Sequence, residues 1–119
     1  MAAKSYRELL AWQKAMALVR DVYRLTQGWP PSEMYGLIGQ VRRAAVSVPS
    51  NIAEGQGRGP GKEFTHHLSI AYGSLLELET QLLIAKDLGY NREVDVEPVL
   101  ASAGEVGRLL NGLLRSVSE

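Results

Sequence analysis

The sequence predicts an all-α protein: one domain over residues 1–119, folded as an antiparallel up-down-up-down four-helix bundle. Three observations carry this. Apolar residues recur at alternating three- and four-residue spacings in four segments, which places them on one helix face. Gly and Pro clusters separate those segments. No stretch alternates apolar and polar residues over a useful length, as a half-buried strand would.

The first helix is expected over residues 6–26. Leu9, Trp12, Met16, Val19 and Tyr23 form one stripe, and Ala11, Ala15, Leu18, Val22 and Leu25 form another. At 100° per residue the stripes lie about 120° apart, and one bundle neighbourhood needs only one of them. The second needs a cover, either a third helix or another subunit. Gly28-Trp29-Pro30-Pro31 ends the helix, because proline cannot continue it.

The second helix is expected to begin near Ser32, with Met34, Leu37/Ile38, Val41, Ala45, Val48 and Ile52 as its apolar stripe and Gly55 as its stop. Pro49 falls inside it. Its ring clashes with the Ala45 carbonyl, and the pattern resumes at Ile52, so a kink is favoured over a break into two helices. The third helix, over 62–88, carries an unbroken heptad seam: Phe64, Leu68, Ala71, Leu75, Leu78, Leu82 and Ala85, closed by Gly89. The fourth, over 95–118, has Asp95 as a cap, Pro98 in its first turn and Val99, Ala103, Val106, Leu110, Leu113 and Val117 as its seam. Gly104, Gly107 and Gly112 weaken it and predict close approach to a neighbouring helix.

Composition excludes several chemistries. Apolar residues are 45% and charged residues 22%, as in ordinary globular proteins. There is no cysteine, so disulfides, thiolate zinc sites and a cysteine nucleophile are absent. No apolar run approaches the ~20 residues that span a bilayer. The N-terminal residues turn charged at once and show no signal-peptide core, so the expectation is a cytoplasmic protein without membrane contact. Residues 55–62 fail the phosphate-loop pattern, because Gln56 and Glu63 stand where glycine and Ser/Thr are required. Adjacent His66 and His67 point about 100° apart on a helix and cannot readily share a metal ion. Glu63 and His66 give a single Glu-x-x-His where di-metal bundles use two, and Glu54, Glu77 and Glu79 add no second copy. Ser47, Ser50 and Ser74 have no base beside them in sequence. The expectation is no catalytic residue, no metal and no cofactor.

Charge is the stronger lead. The thirteen basic and thirteen acidic side chains cancel, yet residues 1–62 hold nine basic and four acidic, and residues 63–119 the reverse. Lys14, Arg20, Arg24, Arg42, Arg43, Arg58 and Lys62 all fall in the basic half and are the candidate nucleic-acid contacts, since guanidinium groups suit bidentate phosphate contacts. The same asymmetry also suits a basic hairpin packed beside an acidic one, or subunits paired charge against charge. Glu54 shares a face with Arg43 and is a candidate partner for it.

Ala11-Trp12-Gln13-Lys14-Ala15, Tyr35-Gly36-Leu37, the run from Gln40 through Arg42-Arg43-Ala44 to Asn51-Ile52-Ala53-Glu54-Gly55, and Gly73-Ser74-Leu75-Leu76-Glu77 resemble a known family. It is the bacterial four-helix-bundle family encoded in intervening sequences of 23S rRNA genes. The resemblance covers most of the chain, most closely residues 9–89. It implies a homopentameric ring, which would cover the second apolar face of helix 1. The accessory proteins of diversity-generating retroelements look like distant relatives: basic pentamers that bind nucleic acid and a reverse transcriptase. This chain departs from them in its zero formal charge. Asn51, Glu54, Gly55, Gly73, Ser74 and Glu77 match the family motif, and their expected role is to cap and join helices 2 and 3. Two functions are expected to compete. One is a non-catalytic ring that binds RNA or a nucleic-acid-associated protein through the basic residues. The other is an oligomeric protein-interaction scaffold, in which Arg42 and Arg43 pair with Glu77 or Glu79 across subunits.

Overall fold

The computed structural model describes residues 5–118, so the charged N-terminal stretch begins outside the described residues. Four helices form it: α1 (Leu10–Thr26), α2 (Leu37–Gly57), α3 (Lys62–Asp87) and α4 (Glu93–Ser118). Single 3₁₀ turns occupy Tyr6–Glu8 and Pro31–Glu33, and no strand occurs among the described residues. Each helix packs on its chain neighbours, and α1 also packs on α4, which closes the bundle around one core.

Most of that core comes from the stripes read from the sequence, with Trp29, Ala44 and Val96 added to them. Ala11, Ala15, Leu18 and Val22 are buried from α1; Ile38, Val41, Ala45, Val48 and Ile52 from α2. All seven seam residues of α3 are buried, as are Val99, Ala103, Val106 and Leu110 of α4. Each fully buried leucine or isoleucine contributes about 1.5–3 kcal/mol. The other stripe of α1 is not in the core: Trp12, Met16 and Val19 are half-buried, and Tyr23 is exposed.

Several boundaries differ from expectation. Tyr6–Glu8 is a separate turn with a capping box, in which the Ser5 hydroxyl accepts from Arg7 N–H and Glu8 bonds back to Ser5 N–H. Pro31–Glu33 forms a 3₁₀ turn, so α2 starts at Leu37, and Met34 lies exposed outside its stripe. α2 runs through Pro49 without a break and passes Gly55 to end at Gly57. α4 starts at Glu93. Asp95 therefore lies inside the first turn, where it accepts from Arg92 Nε at 2.9 Å rather than capping the helix. Of the α4 glycines, only Gly107 meets another helix. A Cβ there would lie 3.2 Å from Leu75 Cδ2, whereas Gly104 faces Arg108 of its own helix and Gly112 faces open space.

Gly89 closes α3 at φ 75, where an L side chain would be strained. Its N–H bonds to the Lys86 carbonyl and that of Tyr90 to the Ala85 carbonyl, which is the Schellman pattern. This turn delivers Tyr90 and Asn91 onto the α1–α2 connection. Trp29, buried although it sits in a Gly/Pro linker, donates from Nε1 to Asn91 Oδ1 at 2.8 Å and packs on the Tyr90 ring. The Tyr90 hydroxyl donates to Glu33 Oε2 at 2.6 Å, while Glu33 Oε1 accepts from Leu37 N–H at the start of α2. The two connections are thus clasped at one end of the bundle.

Those two hydrogen bonds hold the Glu33 carboxyl below the usual carboxylate range, and the same bond holds the Tyr90 hydroxyl above the usual phenol value. A lowered acid contributes stability that is present above its unfolded pKa and is lost as pH falls through the folded value. A raised phenol contributes stability present below its unfolded pKa and lost as pH rises through the folded value. Tyr90→Phe should therefore lower thermal stability most near neutral pH, with the gap to wild type closing at both the acid and the alkaline end. Thermal melts across pH check this, and a pH-independent gap would exclude the clasp as its cause.

Candidate functional site

The motif residues of α2 and α3 converge on one polar chain between the two helices. Ser47 Oγ and Ser74 Oγ share a hydrogen bond at 2.8 Å. Asn51 Nδ2 donates to the Ser47 carbonyl at 2.9 Å and to Ser47 Oγ at 3.0 Å. With both amide donors so directed, Asn51 Oδ1 accepts from His67 Nδ1 at 3.1 Å, which assigns that ring proton. His67 Nε2 lies 3.5 Å from Glu54 Oε2, and Arg58 Nη2 reaches the same oxygen at 3.4 Å. Spacing explains the alignment: Ser47, Asn51, Glu54 and Arg58 are four, three and four residues apart and share one side of α2.

Gly55 permits this contact. A Cβ there would lie 2.6 Å from His67 Cβ and 3.2 Å from Phe64 Cδ1. The helices therefore touch backbone to side chain at this point. Gly73 has nothing within 4 Å of such a Cβ, and Glu77 is exposed, so neither belongs to the chain. No hydroxyl in the chain is bonded to the imidazole, and its bonds instead fix one helix against the other. His66 is exposed and its ring lies 5.7 Å from that of His67 at a steep angle. Among the described residues, no group of three or more His, Cys, Asp or Glu is placed to hold a metal ion, and no helix is long and apolar enough to cross a membrane.

The candidate basic residues do not form one patch. Lys14 reaches across to α4 and pairs with Glu105 at 3.4 Å. Arg24 pairs with Asp21 at 3.7 Å beside a cleft of about 610 Å³ between α1 and α4, where Arg92 and Asp95 form a second ion pair. Arg42 donates from Nε to Thr26 Oγ1 at 2.9 Å, and its guanidinium lies 4.5 Å over the Tyr23 ring. It fastens α2 to the end of α1. Arg58 is held by Glu54, so the Arg43–Glu54 pairing considered from the sequence does not form. Arg20, Arg43 and Lys62 are exposed and make no ion pair among the described residues.

A different surface stands out, on the half-buried stripe of α1. Tyr6, Trp12, Met16 and Val19 face Val46, Pro49, Ser50 and Ala53 of α2 across a cleft of about 330 Å³. At Val46 it continues into a cleft of about 460 Å³ bounded by Tyr23, Arg42, Arg43 and Ser47. The result is an aromatic and Met-lined groove with a basic end.

Two substitutions test the α2–α3 contact by chemical denaturation. Gly55→Ala should cost about 1–3 kcal/mol, because it overpacks a filled contact. Asn51→Leu should cost about 1–3 kcal/mol, because it strands the His67 and Ser47 polar atoms. A change within experimental error for both would mean that the helices do not meet this closely.

Comparison with known proteins fits this fold. No curated protein matches the chain. A solved structure from Bacteroides thetaiotaomicron, described as a protein of unknown function from the S23 ribosomal protein family, superposes with a TM-score of 0.82 at 19% identity. The match covers 89% of this chain and 96% of that one, and at this identity it establishes the fold alone. The family model of the 23S rRNA-intervening sequence proteins matches residues 7–112, which contain all four helices' buried seams and the α2–α3 polar chain. On that match the chain belongs to the 23S rRNA-intervening sequence protein family.

Proposed function

We propose that this chain is a non-catalytic, ring-forming interaction protein whose working surface is the groove between α1 and α2. The groove itself carries the reading. Trp12 and Val19 rest on the core but, like Met16, stay only half-buried, and with exposed Val46 they leave an apolar strip at the surface of the kind that marks protein interaction sites. Aromatic residues, methionine and arginine are the types enriched at such sites. Assembly into the homopentamer implied by the family resemblance would cover it.

A second reading, binding of RNA or of a nucleic-acid-associated protein, has one observation in its favour. Arg20, Arg43 and Lys62 are exposed cations with no ion-pair partner among the described residues. Three per chain is few, but a ring multiplies them.

Light scattering over a dilution series tests the first reading. The wild-type mass should be several times the 13.0 kDa of one chain, and Val46→Glu should return it to 13.0 kDa without loss of helical circular dichroism. A wild-type mass of one chain at every concentration would overturn it. Labelled RNA and DNA at low and moderate salt test the second reading. Replacing Arg20, Arg43 and Lys62 with Gln should weaken binding and flatten its salt dependence, by about one unit of slope for each phosphate no longer neutralised. No binding at low salt would leave only the protein-interaction reading.

A further inference from the structure

The cleft of about 610 Å³ between α1 and α4 shares no residue with the α1–α2 groove, so what it binds does not depend on the assembly reading. Its volume falls within the ~300–1,000 Å³ of small-molecule sites. Leu25, Pro98 and Val99 give it an apolar side. Four charged residues line it as well: Asp21 and Arg24 from α1, Arg92 just ahead of α4 and Asp95 in that helix's first turn. Two positive and two negative charges leave it neutral.

Asn91 brings an unused donor to the same cleft. Its Oδ1 accepts from Trp29 Nε1, which fixes the amide with Nδ2 as the free end. Nδ2 is buried and has no hydrogen-bond partner among the described residues. A buried donor without an acceptor costs stability, and folded proteins rarely leave one so. An acceptor brought into the cleft beside Asn91 would meet it. The charged side chains are also free to take new partners. Arg24 pairs with Asp21 at 3.7 Å and Arg92 with Asp95 at 2.9 Å, each with a residue three positions away, and the two arginine side chains are 75% and 79% exposed. Exposed pairs of this kind add little stability, so their members exchange partners readily.

The charge pattern selects the class of ligand. A simple anion would draw an arginine from its aspartate and leave that carboxylate unpaired, and a simple cation would do the reverse. A zwitterion replaces both partners at once. We infer that the α1–α4 cleft binds a free amino acid with an apolar side chain. The ligand carboxylate accepts from Asn91 Nδ2 and the Arg92 guanidinium, its ammonium donates to an aspartate of the cleft, and its side chain lies against Leu25, Pro98 and Val99. Asn91 also belongs to the clasp with Trp29, so occupation should tighten that end of the bundle.

Calorimetric titration of the full chain with L-leucine tests this. Leucine should bind once per chain and raise the melting temperature. Glycine lacks the apolar body, N-acetyl-leucine the ammonium and leucinamide the carboxylate, and each should bind about tenfold or more weakly than leucine. Asn91→Asp keeps an oxygen for Trp29 and removes the Nδ2 donor, and should weaken leucine binding to the same extent. Arg92→Gln should weaken it too, and because that side chain is exposed the loss cannot come from a folding defect. Val46→Glu, in the groove, should bind leucine like wild type, so this site and the groove fail separately. Neither heat nor a thermal shift with millimolar leucine would overturn the inference. Equal binding of acetate or inorganic phosphate would overturn it as well, by making this a simple anion site. So would leucine binding that neither Asn91→Asp nor Arg92→Gln changes, which would put the ligand elsewhere on the chain.

Discussion

At Gly55 the backbone of α2 lies against the Cβ of His67 on α3, leaving no room for a side chain. Close approach at that point brings Asn51 within reach of His67 Nδ1 and Ser47 within reach of Ser74. Those bonds have direction, whereas the leucine seam beside them does not, and a seam alone tolerates a slide by one turn. Such a slide would leave buried His67 and the half-buried Asn51 and serines without these partners, at up to about 1–3 kcal/mol for the buried ring. The polar chain therefore selects one register of α2 on α3, and the apolar contacts supply the bulk of the stability. The other helices are placed against that pair.

Two further devices extend the constraint. At one end, the Trp29–Asn91 and Tyr90–Glu33 bonds hold the α1–α2 connection to the α3–α4 turn. Along α1, Arg42 holds Thr26 and stacks on Tyr23, so a cation that resembles a phosphate ligand in sequence serves as a fastener between helices. Its neighbour Arg43 points about 100° away and stays exposed, which is why two adjacent arginines have different roles. With α1 and α2 held by Arg42, their outward sides form a groove of fixed shape. A preformed groove costs its occupant less ordering on binding.

The sequence by itself determined the four helices and the apolar stripes from which most of the core is drawn, though not which of the two α1 stripes is buried. Spacing of apolar residues at 3.6 per turn acts locally, and burial follows from it at nearly every seam position. Helix starts were less legible. Met34 continued the spacing and the Pro31–Glu33 turn ignored it, because Glu33 is drawn into bonds with Tyr90 and the α2 N-terminus. The family motif around Asn51, Glu54 and Gly55 was also visible, as was the presence of two apolar stripes on α1. What only the tertiary structure decided is how polar side chains are shared out. Lys14 finds Glu105, Arg58 rather than Arg43 takes Glu54, His67 is buried against Asn51, and Arg42 is taken up by Thr26 and Tyr23. Apolar burial depends on a residue's own helix face, which a sequence encodes directly. A hydrogen bond or ion pair depends on the distance and angle to a group far away in the chain, and those are set only when the helices pack.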